Sequence, residues 1–276
     1  MKKIKLFTMV KDEIDIVEDW LIYHGSLFGF ENLYIIDNYS SDGTYKLLKK
    51  YQKNNNINLT QEKYYQKKGD YIQNMINKIK YDIAYPLDID EFIVYYDKKK
   101  NMIDPLNVVK YINSLPDKNI YKANYIISLV DMSNNYGYEH AAKESLYGKY
   151  EDYGDFAKSF FNNKWKGKLD HGNHCYMDDY HLTDLCLVHY HDRNKDQIIK
   201  KIENNVKGLG YKIDLNYLKK LDENCCGNHH VRRLIDILEN KQILVTNIPR
   251  NKKIKGKDLI SLKPICDYLN DFKKKV

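Results

Sequence analysis

Two aspartates one residue apart, Asp88 and Asp90, are the residues of this chain whose type and spacing point most directly to chemistry. They follow an apolar run beginning at Ile83 that is typical of a buried strand. Side chains two residues apart in a strand share a face, so both carboxylates can converge on one ion while Ile89 turns into the core. Oxygen ligands suit Mg²⁺ or Mn²⁺. The pattern therefore predicts a divalent metal site able to hold a diphosphate.

The elements that must position this pair begin with a strand–helix–strand–helix order. The stretch from Lys3 to Val10 is predicted to be a buried strand. After it, apolar residues between Ile14 and Phe28 recur at near-helical spacing, which predicts a helix. Leu33 to Ile36 reads as a second strand ending at Asp37, and a helix from Tyr45 to Tyr51 comes next. This order is typical of a nucleotide-binding α/β half, in which ligands lie beyond the carboxyl ends of the strands. The sequence has no glycine-rich phosphate loop, so we expect a metal to neutralise the diphosphate.

The rest of the chain is expected to alternate between strands and helices. Asp104 and Pro105 are an N-cap and a first helical residue, which predicts a helix reaching Asn113. The stretch from Asp131 to Asp155 shows no clear period and reads either as a loop whose tyrosines stack on sugar rings or as a tyrosine-rich surface loop. Further strands are predicted at 57–60, 120–130 and 186–190, and further helices at 71–79, 194–206, 215–221 and 231–238.

Composition excludes some classes of function. The net charge is +7, but the lysines are scattered, as on solvated faces, so we expect no nucleic-acid partner. A mild positive field also favours an anionic small ligand. The sequence contains no run near the roughly 20 apolar residues of a membrane span, and lysines interrupt the N-terminus where a signal core would lie. A soluble cytoplasmic protein without a transmembrane segment is the expectation.

Five cysteines form no regular framework, and their odd number indicates reduced thiols. The segment from Cys225 to His230 contains two cysteines and two histidines and could be interpreted as a zinc site. Adjacent cysteines rarely both reach one tetrahedral metal, however. A loop preceding the helix at 231–238 is the alternative interpretation.

Four motifs occur in order between Lys11 and Ile93. They are Lys11-Asp12-Glu13, Glu18 to His24, Tyr34 to Gly43 and Leu87 to Ile93. Together they resemble metal-dependent glycosyltransferases of the GT-A fold, in the family 2-like group that also resembles glycosyltransferase family 92. Many relatives carry Asn-Glu where this chain has Lys11-Asp12-Glu13, which leaves open which side chain there meets the nucleotide.

The resemblance implies an α/β fold of the GT-A, Rossmann-like type, with a mixed central sheet and C-terminal helices. One domain, 1–276, would comprise a nucleotide-sugar-binding half (1–100), an acceptor-binding half (101–206) and a helical extension (207–276). The implied activity is transfer of a sugar from a nucleoside diphosphate donor, expected to be UDP-linked, to a hydroxyl of a glycan or protein, with inversion. A metal-dependent nucleotidyltransferase and a non-catalytic nucleotide-sugar binder are the alternatives. Whether the chain forms a homo-oligomer stays open.

The resemblance also implies roles for individual residues. The expected nucleotide contacts are Thr8, Val10, Lys11, Asp37 and Asp88. Asp88 and Asp90 are expected to hold the metal, with His189 as third ligand and His191, on the same strand face, as the alternative. An imidazole ligand shifts the expected ion from Mg²⁺ towards Mn²⁺. The catalytic base is expected to be Asp170 or Asp178, with His174 as a base or acceptor-positioning residue.

Overall fold

The structure is a computed structural model that describes residues 1–129, 146–170, 172–175, 179–193, 195–221, 224–239 and 259–273. Its strands are β1 (Ile4–Val10), β2 (Leu33–Asp37), β3 (Asn58–Gln61), β4 (Ile83–Pro86), β5 (Glu91–Asp97), β6 (Met102–Asp104), β7 (Ile120–Ser128), β8 (Tyr147–Glu151), β9 (Lys158–Asn162), β10 (His181–His189) and β11 (Leu259–Ser261). Its helices are α1 (Val17–Phe28), α2 (Thr44–Asn55), α3 (Lys68–Lys78), α4 (Val108–Ser114), α5 (Lys195–Gly208), α6 (Leu215–Leu218), α7 (Asn228–Leu238) and α8 (Lys263–Lys273).

All the described strands belong to one mixed sheet in the order β3-β2-β1-β4-β9-β7-β10-β5-β6, with β8 paired to β7 and β11 to β8. Strands β1 to β4 are parallel, and β10 is parallel to β7. Because β9 is antiparallel to both β4 and β7, strand β7 runs in the direction of β4. Strands β1, β2, β4, β7 and β10 therefore end at the same edge of the sheet, called the carboxyl edge below. The predicted α/β class, with a mixed central sheet and C-terminal helices, is confirmed.

Side chains of β1 alternate between two apolar cores. Leu6 and Val10 belong to the larger core, whereas Phe7 and Met9 belong to a second core on the other face of the sheet. Helices α1, α2 and α8 contribute to the first core and α3 to the second, so helices cover both faces. A third, smaller core joins α5, α6 and α7. The sheet is therefore buried on both faces, and polar ligands have access at its edge.

Several elements differ from those predicted. The Asp104 side chain accepts hydrogen bonds from the backbone N–H groups of Leu106 and Asn107, which confirms the predicted cap. The described part of the stretch expected to be irregular contains strand β8. Strands β9 and β11 and helix α8 were not predicted, and Ile260 and Leu269 of this C-terminal segment pack in the main core. Among the described residues, no helix has the length and apolar character needed to cross a membrane.

Candidate functional site

Asp88 and Asp90 lie in the turn between β4 and β5, at the carboxyl edge. Ile89 between them is 4% exposed and packs in the main core, as predicted. The two carboxylates are not neighbours on a strand face, because the strand ends at Pro86 before the first of them. The turn gives each carboxylate its own set of partners instead.

Three side chains of α1 hold the beginning of β5 in place. Trp20 Nε1 donates to the carbonyl of Glu91 at 3.0 Å, and the Tyr23 hydroxyl donates to the carbonyl of Ile93 at 2.7 Å. The backbone N–H of Ile93 donates to His24 Nε2 at 3.3 Å. Strand β6 pairs only with the last three residues of β5, so these side chains satisfy backbone groups that β6 does not reach. The motif from Glu18 to His24 thereby positions the turn that carries the aspartates.

Asp88 is held by protein cations. Its carboxylate forms an ion pair with Lys68 and accepts a hydrogen bond from Lys158 Nζ at 3.1 Å. Lys158 is fully buried and also contacts Glu91 Oε1 at 3.0 Å, while the backbone N–H of Asp88 donates to Glu91 Oε2 at 2.8 Å. Burial alone would raise the pKa of Asp88, but Lys158 and Lys68 hold that pKa well below its usual range. Asp88 is therefore ionised and already neutralised.

Asp90 is almost completely buried and lies between a lysine and an imidazole. Lys201 Nζ lies 2.5 Å from Asp90 Oδ2, and His189 Nε2 lies 3.5 Å from Asp90 Oδ1. The backbone N–H of Tyr190 donates to the Asp90 carbonyl at 2.8 Å. Burial favours the protonated form, but Lys201, followed by His189, keeps the pKa of Asp90 well below its usual range.

Arg193 joins the loop after β1 to the loop after β10. Its guanidinium pairs with Glu13, lies 2.6 Å from Asp15 Oδ2, and donates to the carbonyl of Tyr190 at 3.0 Å. The side chain is 2% exposed. Burial raises the pKa of Glu13, and Arg193 opposes that shift. These contacts connect the loop after β1 to the loop after β10 beside Asp90, and they give Glu13 a structural partner.

A cavity of about 430 Å³ opens at the carboxyl edge and is called the carboxyl-edge cavity below. It is lined by Met9, Lys11, Glu13, Asn38, Tyr65, Lys68, Asp88, Ile89, Asp90, His189, His191, Lys201, Asn204, Asn205, Lys207, Gly208 and His230. The cavity brings together four predicted site residues, namely Lys11, Asp88, Asp90 and His189, together with His191, the alternative metal ligand. Sequence reasoning missed Lys68, Lys158 and Lys201. The lysine-rich helix that follows His189 is the one sequence signal that bears on Lys201.

The other predicted nucleotide contacts lie outside the cavity lining. Thr8 and Val10 are buried, and alternation along β1 turns Met9 and Lys11 towards the cavity instead. Asp37 is buried at the end of β2 and accepts hydrogen bonds from the Ser40 N–H at 3.1 Å and from Gln61 Nε2 at 2.9 Å. The neighbouring Asn38 lines the cavity. A nucleotide role for Thr8, Val10 and Asp37 stays a prediction.

Two of the expected catalytic residues share a tight turn. Asp170 accepts a hydrogen bond from the His174 backbone N–H at 2.7 Å, and His174 Nδ1 lies 3.4 Å from Asp170 Oδ2. Both line a separate depression beside Gly69, at the start of α3. Lys158 connects this turn to Asp88, because its Nζ also donates to the Gly172 carbonyl at 3.2 Å. Asp178 lies outside the described residues, so the choice of base stays a prediction.

The side chains at the cavity could hold a divalent cation if a bound ligand supplied the remaining coordinating atoms. Asp90 and His189 present one carboxylate and one imidazole nitrogen to the same cavity, which suits Mn²⁺. The Asp88 carboxylate instead pairs with Lys68 and Lys158. Within the described residues, no group of three His, Cys, Asp or Glu side chains is arranged to bind a metal. Cations at diphosphate sites commonly use one or two protein ligands together with phosphate oxygens.

Comparisons with known proteins found likeness in structure only. No protein-family model matches the chain, and no curated protein matches it. A mannosyltransferase from Pyrobaculum calidifontis in complex with GDP-Man and Mn²⁺ is 13% identical, with a TM-score of 0.43 over 76% of this chain and 63% of that one. S. aureus TarS 1-349 is 11% identical, with a TM-score of 0.43 over 99% of this chain and 81% of that one.

A third solved structure contains both a metal and a nucleotide. Glucosyl-3-phosphoglycerate synthase from Mycobacterium tuberculosis, in complex with Mg²⁺ and UDP, is 15% identical, with a TM-score of 0.32. The match covers 45% of this chain and 44% of that one. Likenesses at this level assign neither an activity nor a ligand to this chain.

Proposed function

We propose that this chain is a metal-dependent glycosyltransferase of the GT-A fold that transfers a sugar from a nucleoside diphosphate, expected to be UDP, to a hydroxyl of a glycan or protein. The observation that carries the proposal is the carboxyl-edge cavity, in which the Asp90–His189 pair lies among lysines. The position agrees with the general rule that open α/β sheets bind ligands beyond the carboxyl ends of their strands.

The charge and size of the cavity suit a diphosphate ligand. Lys11, Lys68, Lys201 and Lys207 line it, and Lys158 lies beneath Asp88. Lysines serve as point-charge partners of phosphate groups. A cavity of about 430 Å³ also lies within the range of small-molecule sites. In this proposal Lys11 and Asn38 contact the nucleotide from the cavity wall. A contact of the buried Thr8, Val10 or Asp37 with the nucleotide stays a prediction.

Asp90 and His189 are proposed to hold Mn²⁺ or Mg²⁺. Such an ion, when bound, supplies positive charge to the departing diphosphate. Asp88 does not share this role in the proposal. Asp88 instead pairs with Lys68 at the cavity wall and thereby orients the ammonium group of that lysine towards the donor.

The proposed reaction inverts the anomeric centre. The acceptor oxygen forms a bond to the anomeric carbon while the bond from that carbon to the diphosphate oxygen breaks. The acceptor proton passes to a carboxylate or imidazole base, for which Asp170, His174 and Asp178 remain the candidates. Lys158 links this segment to Asp88, because its Nζ contacts both Asp88 and the carbonyl of Gly172.

Binding of UDP by calorimetry, with Mn²⁺ and with EDTA, tests the proposal. We expect metal-dependent binding that Asp90→Asn weakens at least about tenfold, because that variant removes the charge from the proposed ligand. Asp97→Asn is the matched control, since Asp97 lies at the far end of β5, the strand that follows Asp90, and pairs with Lys100. Equal UDP affinity with EDTA and with Mn²⁺ would refute the metal-dependent function. GDP and CDP tested in parallel establish the nucleotide.

A further inference from the structure

Lys201 pairs with Asp90, the carboxylate that is proposed to bind the metal, through Oδ2, whereas His189 faces Oδ1. The Nζ atom of Lys201 lies 2.5 Å from Asp90 Oδ2 and 3.3 Å from the carbonyl of His191. The Lys201 side chain is 18% exposed and lines the carboxyl-edge cavity. The carboxylate proposed to bind metal is therefore already neutralised by a lysine.

Two cations cannot both lie close to Asp90 without repelling each other. Unit charges a few ångströms apart in a partly buried site interact strongly, because the surrounding protein screens them less than water does. Arg193 lies 3.9 Å from the same Oδ2 atom and adds to this repulsion. Lys201 and a divalent cation must therefore compete for Asp90.

The ion pairs at Asp88 and Asp90 differ in freedom of movement. Lys158 is 1% exposed and is held by Asp88, Glu91 and the carbonyl of Gly172, so it cannot leave. Lys201 instead extends from α5 into the cavity on a flexible four-carbon stem. Asn204, Asn205 and Lys207 of the same helix line the cavity too, so this helix face meets any ligand bound there.

We infer that Lys201 holds Asp90 in the free protein and moves to the diphosphate when the donor binds, which releases Asp90 for the metal. This inference rests on the proposed function and adds an order to it, in which the nucleotide diphosphate favours metal binding. A diphosphate attracts an ammonium group more strongly than one carboxylate does. Binding linkage requires the converse, so metal must increase nucleotide affinity by the same factor.

Three titrations on wild type, Lys201→Met and Lys200→Met test the inference. The probes are Mn²⁺ alone, followed by electron paramagnetic resonance, UDP alone in EDTA, and Mn²⁺ at saturating UDP. Lys200→Met is the matched control, because the adjacent Lys200 is on the same helix and pairs with Asp42. Lys201→Met should bind Mn²⁺ alone about 10-fold more tightly than wild type, because the competing cation is gone. It should bind UDP in EDTA about 10-fold more weakly, because a phosphate partner is gone.

Opposite signs for the two ligands distinguish this role from a structural one, which would weaken both. The ratio of Mn²⁺ affinities with and without UDP should also be smaller in Lys201→Met than in wild type. Unchanged or weaker Mn²⁺ binding by Lys201→Met, or no detectable Mn²⁺ binding by that variant, would overturn the inference. Circular dichroism checks folding, and Lys201→Gln provides the same loss of charge with a hydrogen-bonding side chain if the methionine variant is unstable. Wild type that binds Mn²⁺ but not UDP would refute the proposed function separately.

Discussion

The imidazole of His189 and the carboxylate of Asp90 lie 3.5 Å apart, although the two residues belong to distant parts of the chain. The antiparallel register of β10 and β5 places His189 opposite Glu91, directly after Asp90. Backbone pairing therefore determines this contact, and the hydrogen bond from the Tyr190 N–H to the Asp90 carbonyl continues it beyond the strand.

The contact predicts distinct roles for the two neighbouring histidines. His189→Ala should raise the Mn²⁺ concentration required for activity by about 10-fold or more, and excess Mn²⁺ should partly restore turnover. His191→Ala is the comparison, because His191 Nδ1 lies 2.8 Å from Asp192 Oδ1 and is engaged there. Activity measured against Mn²⁺ concentration distinguishes the two. A normal metal requirement in His189→Ala would contradict its assignment as a ligand.

The candidate general bases are tested by three single replacements, namely Asp170→Asn, His174→Ala and Asp178→Asn. Loss of a general base should lower kcat by about 10² to 10⁴-fold with little change in donor affinity, because the proton is taken only in the transition state. NMR of the product reports its anomeric configuration. A product that retains the donor configuration would contradict inversion, and three near-normal kcat values would place the base outside this segment.

Removal of the Arg193 guanidinium should destabilise the protein. Arg193→Met leaves Glu13 and Asp15 without their buried cation, a loss that typically costs about 3–5 kcal/mol in the free energy of unfolding. Urea denaturation measures the change, and replacement of the exposed Arg232 by Met is the control. Adding Glu13→Gln to Arg193→Met should recover part of the loss. A double variant as unstable as the sum of the two single variants would argue against this explanation.

His24 should make stability depend on pH. Burial lowers its pKa to about 3, so the folded protein keeps the imidazole neutral and able to accept from the Ile93 N–H. An unfolded histidine has a pKa of about 6.5 and takes up its proton first as pH falls. Stability contributed by neutral His24 is therefore complete above about pH 6.5 and declines towards pH 3, by about 2 kcal/mol between pH 6.5 and 5.

Urea denaturation of wild type and His24→Gln at several pH values tests this titration. The variant should be less stable at pH 7 but should show a shallower decline from pH 6.5 to 5, because it lacks the group that titrates. Parallel curves for the two proteins would assign the pH dependence to other groups.

Local patterns in the sequence were sufficient for the order of the strands and helices that precede Asp88. Apolar periodicity predicts β1, α1 and β2, and the Asp104 cap depends on residues close in the chain. Burial of Ile89 follows from its apolar side chain between two charged ones. These features depend on local propensity and on the hydrophobic effect, which act on neighbouring residues.

Only the tertiary structure decided how the charges at the site are paired. Strand β9 contains the polar residues Lys158 and Ser159, yet both are buried. Lys158 can be buried because Asp88, in the turn between β4 and β5, and Glu91, at the start of β5, neutralise its charge. Lys201 reaches Asp90 across 111 residues of sequence. The alternation of side chains along β1 directs Lys11, rather than Thr8 or Val10, towards the cavity. The sequence by itself determined the acidic and imidazole residues with suitable chemistry and the order of the elements before Asp88. Which ion pairs form depends on strand order and register, which arise from long-range packing that no short motif encodes.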